Sequence, residues 1–572
     1  MGTKHDSEVR TMETMMEQRT QREKKRWPWV LGIVLVILAA AAAACVLLWP
    51  RPLVTAAGYL AADGEMATLY DEEGQELQQL PRGTEVTYVV EEESEEHPGM
   101  VRLVLGEEEF AWVAKEQLTD DPQKVVTTQV MYVRTPVNLL DQAGVVPGYL
   151  ADKGQELQVT GFEGLDENGA VARYQVAMTV DGQQHTGYIT AGYLCRTREE
   201  AMKQYDQEAY QLHADRGDSW GGGDAAGLDY FPRDKGNFPD NAMPGEVKAL
   251  YLNNEFVDSV DTYLDIAAGC GINAFVIDIQ DGGAIGYASP VMQRYSPSAY
   301  EGAWNTLEEY QAAVQKIKDA GYYVVGRITC FNDPNLAVDH PEVVIAGQDG
   351  TPKKIGGMYW PSVYSREVWQ YKVDLALEAV ELMGFNEIQF DYVRFPDGTW
   401  MFEDGELDYR NTYGESKAQG VQRFLMYAAD RLHAAGAYIS ADVFGECAES
   451  YVCAYGQYWP AISNVVDAIS AMPYPDHYSP VGNWLPWEHP YDTLHSFGTK
   501  AAQRQKETAS PAAVRTWIQA YSAIREPYTT YGAHEVGQQI QALRDTGNTG
   551  GYMTWNAASS ISKYYAIQPA LD

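Results

Sequence analysis

The sequence predicts an α/β protein whose C-terminal half is a (β/α)8 barrel, preceded by two small all-β barrels and one N-terminal transmembrane helix. Three observations predict this order. Eight short apolar runs alternate with helical stretches after residue 246. Two earlier segments alternate apolar and polar residues as antiparallel strands do. An uncharged apolar run stands near the N-terminus of the 572-residue chain.

The eight apolar runs after residue 246 are the candidate barrel strands. They span residues 247–253, 273–280, 322–330, 387–395, 437–445, 467–475, 514–521 and 550–557. Helical stretches such as 308–321, 366–384 and 417–436 lie between them. This alternation implies parallel strands joined by crossover helices, and it predicts a barrel domain over 246–572 that folds without the preceding residues. A doubly wound open sheet is the alternative, but it favours a glycine-rich loop after its first strand, where this chain has Asn253-Asn254-Glu255.

Residues 29–49 form the apolar run near the N-terminus. At ~1.5 Å per residue this run is long enough to cross a hydrocarbon core of about 30 Å. Basic residues precede it, and only Arg51 follows closely; the preceding ones are Arg19, Arg22, Lys24, Lys25 and Arg26. The positive-inside rule then predicts a cytoplasmic segment 1–28, a membrane span 29–49, and an extracellular remainder of the chain. A cleaved signal peptide and a lipoprotein anchor at Cys45 are the alternatives.

Two segments, 55–120 and 128–196, read as small β-barrel modules. Each has short alternating runs broken by Gly, Pro and Asp, and each ends in an aromatic-led strand followed by Leu. Trp112 through Leu118 in the first segment corresponds to Tyr188 through Leu194 in the second. The pair resembles the bacterial Src-homology-3-type modules of cell-wall proteins, which implies binding to cell-wall glycan. The alternative role is a spacer that holds the barrel away from the membrane.

Residues 197–245 are predicted to be a linker, with a flexible hinge at Gly221-Gly222-Gly223. No G-K-[ST] follows these glycines, so they are not a P-loop. The formal net charge of −38 and the lack of a basic patch beyond the N-terminus argue against nucleic-acid binding. Six cysteines show no metal-finger spacing, and Cys447 and Cys453 are close enough in sequence either to form a disulfide or to remain free thiols.

Polar residues cluster where the predicted barrel strands end. The candidate site residues are Asp278, Arg327, Asp391, Arg394, Asp442, Glu446, Asp476, His477, Gln519, Trp555 and Asn556. Chemistry in such barrels lies at the C-terminal ends of the strands. A charge inside a strand costs several kcal/mol unless it is paired, so a stable barrel alone seldom needs so many of them. The alternative interpretation is a structural network of ion pairs in the barrel mouth.

Two carboxyl groups on neighbouring strand ends can act as an acid/base or nucleophile pair. Asp391 is the candidate nucleophile, and Glu446 or Asp442 is the candidate proton donor. A nearby cation lowers the pKa of a carboxyl group, so Arg327 is expected to keep one of these acids ionised. The remaining candidates are expected to bind substrate.

Long segments of the C-terminal half resemble a bacterial family of glycoside hydrolases first catalogued as a domain of unknown function. The resemblance lies in residues 384–398, 325–345, 439–446, 465–478, 514–521 and 550–557. It covers roughly residues 246–565 and implies a barrel related to the alpha-amylase-like hydrolases. In that group a fourth-strand Asp is the nucleophile, which maps onto Asp391, and a fifth-strand Glu is the acid/base, which maps loosely onto Glu446. Asp476 departs from the pattern, which has a small hydroxyl residue there.

The resemblance and the carboxylates together predict a membrane-anchored extracellular glycoside hydrolase. Its expected substrate is a cell-wall or surface polysaccharide, and no cofactor or metal is expected. A calcium ion on Asp333, Asn335 and Asp339 is a weaker alternative. The alternative function is a non-catalytic glycan-binding protein on the same barrel. The sugar, the linkage, the stereochemical outcome and the oligomeric state are not encoded in these patterns.

Overall fold

The computed structural model describes residues 53–572 with short gaps. The gaps are residues 62–65, 91–93, 95, 107–108, 122–124, 126–129, 142, 145–148, 166–170 and 181. The predicted cytoplasmic segment 1–28 and membrane span 29–49 lie outside the described residues. Within the described part of the chain, no helix is both long and apolar enough to cross a bilayer. The chain divides into two compact units, residues 1–126 and 127–572.

The larger unit contains a near-closed parallel barrel of eight strands. From first to eighth they are Val247–Leu252, Ala274–Asp281, Tyr323–Thr329, Glu387–Asp391, Tyr438–Phe444, Ala468–Met472, a seventh strand in two pieces (Ala513–Val514 and Thr516–Gln519), and Gly551–Trp555. All eight predicted runs are therefore confirmed as strands. Neighbouring strands pair in parallel, and the eighth pairs back with the first, Val247 opposite Gly551.

The closing contact between the first and eighth strands requires glycine at position 551. Its φ of +111° is a backbone conformation that side chains disfavour, and a Cβ there would lie 1.9 Å from the carbonyl oxygen of Val247. The seventh strand is divided at Arg515. Its first piece pairs with the sixth strand and its second piece with the eighth, so this strand completes the ring.

Side chains two residues apart on each strand fill the barrel interior, as the alternation of strand faces requires. The inward cluster consists of Val247, Ala249, Tyr251, Ala274, Val276, Tyr323, Val325, Tyr438, Tyr474, Trp517 and Met553. A buried ion pair, Arg515 Nη1 to Glu387 Oε1 at 2.6 Å, lies in the same interior. The barrel is thus a packed core, and a pocket can open only at one of its ends.

Thirteen helices are present in the described part of the chain. They are Arg198–Met202, Gln207–Ala214, Val260–Ala268, Pro290–Tyr295, Pro297–Glu301, Leu307–Asp319, Pro334–Asp339, Arg366–Met383, Lys417–Ala434, Trp459–Ser463, Pro490–Gln505, Ala533–Asp545 and Ile561–Ile567. The three helices named from the sequence are confirmed to within a few residues. Capping boxes at Thr306/Glu309 and Ser416/Gln419 start two of them.

The smaller unit is an antiparallel sheet of seven strands. They are Thr55–Leu60, Met66–Tyr70, Glu76–Pro81, Glu85–Val89, Met100–Val104, Phe110–Ala114 and Leu118–Thr119. Leu60, Leu69, Leu103 and Val113 are fully buried in its core. The predicted alternation of apolar and polar residues over 55–120 therefore corresponds to real strands with one buried face.

A second set of short strands occupies residues 130–195 in the larger unit. They are Val130–Val133, Val137–Asn138, Leu150–Ala151, Glu156–Leu165, Val171–Val180, Gln183–Thr190 and Leu194–Cys195. Both β regions end alike, with a strand, one 3-10 turn (Lys115–Gln117 or Ala191–Tyr193), and a two-residue strand that pairs back to the region's first strand. The repeat predicted between the two regions is therefore present. Their kinship to Src-homology-3-type modules stays a prediction.

Residues 197–245 pack against the barrel. Leu228 and Tyr230 are buried with Val452 and Tyr458 of the barrel unit. A Cβ at position 222 would lie 2.1 Å from the carbonyl oxygen of Cys453, so this glycine is required for close packing. The predicted flexible hinge is therefore wrong, because a polar, glycine-rich sequence does not reveal which backbone it packs against. A fragment 246–572 would expose this buried surface, which argues against the predicted boundary for independent folding.

The second β region is also held against the barrel helices by polar contacts. Arg134 pairs with Asp229 of the segment 197–245 at 3.0 Å, and the Thr190 hydroxyl donates to Asp430 of the barrel helix Lys417–Ala434 at 3.0 Å. Arg366 Nε donates to Asn138 at 3.0 Å. Residues 127–572 consequently behave as one compact unit, in which the β region is part of the barrel's outer layer.

Cys447 and Cys453 are buried free thiols. The thiol of Cys453 donates to the carbonyl oxygen of Gln457 at 3.1 Å. Of the two alternatives left by the sequence, the structure has the reduced one.

Candidate active site

A pocket of about 210 Å³ opens at the C-terminal ends of the barrel strands. Its charged wall residues are Asp281, Arg327, Asp391 and Arg394. Its aromatic wall residues include Tyr392, Phe444, Tyr474, Trp517 and Trp555. These side chains come from seven different segments of the chain, brought together because the carboxyl ends of parallel strands meet at one end of the barrel.

Arg327 on the third strand holds the acids of this pocket together. Its Nη1 donates to Asp278 Oδ1 at 2.7 Å, and its Nη2 donates to Asp391 Oδ2 at 2.5 Å. Its Nε lies 3.2 Å from the same Asp391 oxygen and 3.9 Å from Asp442 Oδ2. Asp281 Oδ1 lies 3.3 Å from Nη2. One guanidinium therefore faces four carboxyl groups, which cannot all be ionised at low cost.

Asp391 ends the fourth strand and, with Asp281, is one of the two acids of this cluster that line the pocket. It lines the pocket, although its side chain is only 6% exposed. Its Oδ1 accepts the backbone N–H of Tyr392 at 2.6 Å, which fixes the carboxylate plane. Tyr392 has a φ of +49°, and this left-handed turn ends the strand directly after Asp391. The fourth strand therefore presents one oriented carboxylate to the pocket.

Asp442 on the fifth strand is completely buried, behind the pocket wall. Its Oδ1 accepts the indole N–H of Trp517 at 2.7 Å, while its Oδ2 has no hydrogen-bond partner among the described residues. Burial raises the pKa of Asp442 well above the ordinary value, and the nearby charge of Asp391 raises it further. Burial therefore favours the neutral form of Asp442, and this residue is not among those that line the pocket.

Glu446 lies just beyond the fifth strand, on the 3-10 turn Gly445–Ala448. It is half-buried, and the hydroxyl of Tyr451 donates to its Oε1 at 3.0 Å. Burial raises the pKa of Glu446, which the Tyr451 hydrogen bond partly offsets. Glu446 does not line the pocket itself, but Phe444, two residues earlier, does. Of the two predicted donors, it is the one that solvent reaches.

Asp278 on the second strand accepts a very short hydrogen bond from the hydroxyl of Tyr251 as well as the Arg327 contact. Burial raises its pKa to about 7, against the opposing effect of Arg327. Only 1% of its side chain is exposed. Asp278 therefore holds Arg327 and is not among the residues that line the pocket, and its contact with substrate stays a prediction.

The aromatic walls form a continuous cluster over the acids. Trp555 lies with its ring centroid 4.6 Å from that of Tyr251 and 5.6 Å from that of Trp517. The guanidinium of Arg327 lies 5.2 Å from the centre of the Trp555 ring. Ligand pockets are typically lined by apolar and aromatic side chains with a few polar groups among them. The aromatic rings and the buried carboxyl groups of this pocket fit that description.

Three predicted substrate-binding residues lie behind the pocket and hold loops. Asp476 is buried and accepts from the Tyr521 hydroxyl at 2.8 Å and from the backbone N–H of Ile524. The Gln519 side chain accepts from the backbone N–H of Asp476 and donates to the carbonyl oxygen of Tyr521, and Asn556 Nδ2 donates to the carbonyl oxygen of Ala520. None of the three is among the residues that line the pocket, and their contact with substrate stays a prediction. His477, Arg394 and Trp555 do line the pocket.

Several wall residues were missed by sequence reasoning. Asp281, Tyr392, Met472, Tyr474 and Trp517 line the pocket without having been chosen. Trp517 carried a usable signal, because it lies two residues before Gln519 on the same strand and therefore on the same face. Met472 and Tyr474 show the same spacing on the sixth strand, but apolar residues there are indistinguishable from barrel filling.

The residues considered for calcium have other partners. Asp333 is fully buried and pairs with Lys372 Nζ at 2.6 Å, and Asp339 accepts from the hydroxyls of Ser296 and Ser298. Among the described residues there is no group of three or more His, Cys, Asp or Glu side chains arranged to hold a metal ion.

Comparison with solved structures gives remote likenesses. A hypothetical protein from Ruminiclostridium thermocellum ATCC 27405 is 33% identical over 34% of this chain and 97% of its own, with a TM-score of 0.29. The glycoside hydrolase domain of PgaB (BpsB) from Bordetella bronchiseptica is 11% identical over 57% and 99%, with a TM-score of 0.42. A class V chitinase from Pseudomonas fluorescens Pf-5 is 13% identical over the same shares, with a TM-score of 0.36.

These TM-scores are too low for the likenesses to carry an argument about function. No curated protein matches the sequence. The family model described as "Putative glycosyl hydrolase domain" matches residues 249–561, which is more than half of the chain and includes all eight barrel strands apart from the first two residues of the first. The chain therefore belongs to this glycosyl hydrolase family and is a glycosidase.

Proposed function

We propose that the protein is a membrane-anchored, outward-facing glycoside hydrolase that cleaves a cell-wall or surface polysaccharide, with Asp391 as nucleophile and Glu446 as proton donor. The observation that carries the proposal is the contrast between these two carboxyls. Asp391 lines the pocket and is held by a guanidinium and a backbone N–H. Glu446 is half-buried with a raised pKa. Hydrolysis of a glycosidic bond needs one ionised and one protonated carboxyl group at the same pH, and burial favours the protonated form of Glu446.

Asp442 fits a positioning role better than the donor role. A proton donor must come within hydrogen-bond reach of the leaving oxygen. Asp442 is fully buried, and its Oδ1 is bonded to Trp517 of the pocket wall. Its neutral form places no second negative charge beside Asp391.

A polymeric substrate is supported by exposed tryptophans near the barrel mouth. Trp400 lies in the loop after the fourth strand and is 49% exposed, and Trp220 is 74% exposed. Their ring centroids lie 5.9 Å apart. Exposed apolar rings such as indoles often mark a binding site, because leaving them in contact with water is unfavourable. Sugar rings pack their C–H faces on such rings. These two rings lie outside the pocket and extend the surface available to a chain of sugars.

The membrane anchor and the extracellular location rest on the basic residues before the apolar run 29–49. The β regions are proposed to bind cell-wall glycan. Protease added to intact cells, after removal of any wall, is expected to digest the barrel. Full protection of the barrel would contradict the proposed orientation.

The test of the enzymatic proposal is a hydrolysis screen with the full-length chain in detergent. Cell-wall sacculi, surface polysaccharides and a panel of aryl glycosides are incubated with wild type, Asp391→Asn and Asp404→Asn. Asp404 is an exposed acid in the loop after the same strand and is the matched control. We expect wild type and Asp404→Asn to release reducing ends, and Asp391→Asn to be slower by orders of magnitude. Equal turnover by Asp391→Asn would refute the nucleophile assignment.

A further inference from the structure

Arg394 is a buried arginine whose guanidinium is enclosed by aromatic rings. Its Cζ lies 4.4 Å from the ring centre of Phe444, 4.7 Å from that of Tyr392, 5.2 Å from that of Trp360 and 5.9 Å from that of Tyr455. The residue is only 6% exposed, yet it lines the pocket. The rings fix the position of the guanidinium and remove it from bulk water.

The hydrogen-bond donors of Arg394 are largely unused. Nη1 donates to the carbonyl oxygen of Phe395 at 3.1 Å. Nε is buried without a partner, and Nη2 forms no hydrogen bond within the described part of the chain. No carboxylate of the described residues comes within 4.0 Å of this guanidinium. Burying a guanidinium away from a counterion is unfavourable, and Arg394 lines the pocket from which a ligand can supply one.

The other ions of the pocket wall already have partners. Asp281 and Asp391 both bond to Arg327. Burial lowers the pKa of His477, so this residue adds no positive charge at neutral pH. Arg394 is therefore the charged wall residue, among those described, that has no ion pair within 4.0 Å, and the acids Asp391 and Asp397 act on it only from a longer distance. A ligand that brings one negative charge would complete the pairing.

We infer that Arg394 binds a carboxylate carried by the sugar in the pocket, so that the substrate class is an acidic glycan. This inference rests on the proposed function and names its substrate more closely. A carboxylate accepts charge-assisted hydrogen bonds from a guanidinium, and such bonds are strongest where water is excluded. A uronic acid and a lactyl ether substituent both supply this group, and the shared chemistry is a carboxylate attached to a sugar ring.

The net charge of −38 does not oppose this assignment at close range. Long-range repulsion between exposed charges is screened within about 8 Å at physiological salt. A single carboxylate in the pocket meets Arg394 directly, whereas a densely charged polymer would still be repelled by the protein surface. The expected substrate therefore carries isolated carboxylates among neutral sugars.

The inference is tested by binding, which does not depend on turnover. The full-length chain in detergent, in the Asp391→Asn background and as wild type, is titrated by NMR with two pairs of methyl glycosides. One pair is glucuronic acid and glucose, and the other is N-acetylmuramic acid and N-acetylglucosamine. We expect one carboxylated member to bind about 10-fold tighter than its neutral partner. The pair that shows the preference identifies the source of the carboxylate.

Three variants test whether the preference for the carboxylated glycoside depends on Arg394. Arg394→Gln is expected to abolish the preference for the carboxylated glycoside over its neutral partner. Arg394→Lys keeps a charge but loses the planar fork, and a reduced preference is expected even if Arg394→Gln does not fold. Arg525→Gln, a change at an exposed arginine outside the pocket, should retain the full preference.

The outcomes separate the two proposals. A preference that depends on Arg394 in a chain that hydrolyses nothing would support carboxylate binding and defeat the enzymatic proposal. Turnover with equal affinity for acidic and neutral glycosides would overturn the inference and leave the enzyme standing. A full wild-type preference in Arg394→Gln or Arg394→Lys would also overturn it.

Discussion

Two buried arginines of the same barrel differ in the number of acids that surround them. Arg515 interrupts the seventh strand and pairs with Glu387, the first residue of the fourth strand. Arg327 lies near the other end and faces Asp278, Asp391 and Asp442. Both arginines face the barrel interior and contact an acid of the fourth strand. In the sequence, each appears simply as an arginine within an apolar strand.

The two clusters differ in their balance of positive and negative charges and in the hydrogen bonds that their acids accept. Glu387 is fully enclosed and satisfied, with Arg515, the Tyr323 hydroxyl and the Ser440 hydroxyl donating to its oxygens. Around Arg327, carboxyls outnumber cations, and burial raises the pKa of both Asp278 and Asp442. A buried ion pair with matched charges stabilises a fold. An excess of acids beside a pocket instead shifts the pKa values of the carboxyl groups, and catalysis can use groups with shifted pKa values.

Loss of the proton donor should give the largest effect. Glu446→Gln is expected to lower kcat/KM by about 10²–10⁴-fold on glycosides with poor leaving groups. On aryl glycosides with good leaving groups the loss should be small, because these need little protonation. Steady-state kinetics across a series of leaving groups measures the difference. Asp442→Asn should show no such dependence on the leaving group, and the reverse result would transfer the donor role to Asp442.

Breaking the sealed pair should instead damage stability. Glu387→Gln leaves Arg515 without a charged partner and is expected to cost about 3–5 kcal/mol of unfolding free energy. The protein that remains folded should keep wild-type kcat. Denaturant titration followed by activity assays distinguishes the two quantities, with Asp391→Asn as the opposite case. A stable but inactive Glu387→Gln chain would erase the contrast between the two clusters.

The surplus of acids should make stability depend on pH. The pKa of Asp278 rises from 3.8 to about 7 on folding, so the folded chain binds more protons than the unfolded chain within that window. Stability should therefore fall as pH rises from about 4 to 7, by roughly a few kcal/mol from this group. Asp278→Asn should flatten that slope in unfolding midpoints measured from pH 5 to 8. An unchanged slope would show that Asp278 is not the titrating group.

The smallest expected effect concerns the pH profile. The hydrogen bond from Tyr451 lowers the pKa of Glu446, in opposition to burial. Tyr451→Phe should therefore raise that pKa and move the alkaline limb of kcat/KM to higher pH. Tyr528→Phe, an exposed tyrosine, serves as the control. A limb that stays in place, or moves to lower pH, would argue against Glu446 as the titrating donor.

The sequence by itself determined the barrel and the identity of most of its charged groups. Strand and helix periodicities are local, so all eight strands and the three named helices were placed within a few residues of their observed bounds. Asp391, Arg327, Asp442 and Arg394 were chosen because charged residues in apolar strands are costly and therefore informative. The two β regions and their shared ending were also readable from alternation alone.

Only the tertiary structure decided what each charge faces. Burial, the neighbour across the barrel and the direction of a side chain depend on residues far apart in sequence. That is why Asp442 and Glu446 could not be ranked beforehand, and why Asp476, Gln519 and Asn556 lie behind the pocket. The same holds for residues 197–245, whose Gly222 packs against the backbone of Cys453, a residue far away in the sequence. That Arg394 forms no ion pair within 4.0 Å can be recognised only when the positions of its described neighbours are known.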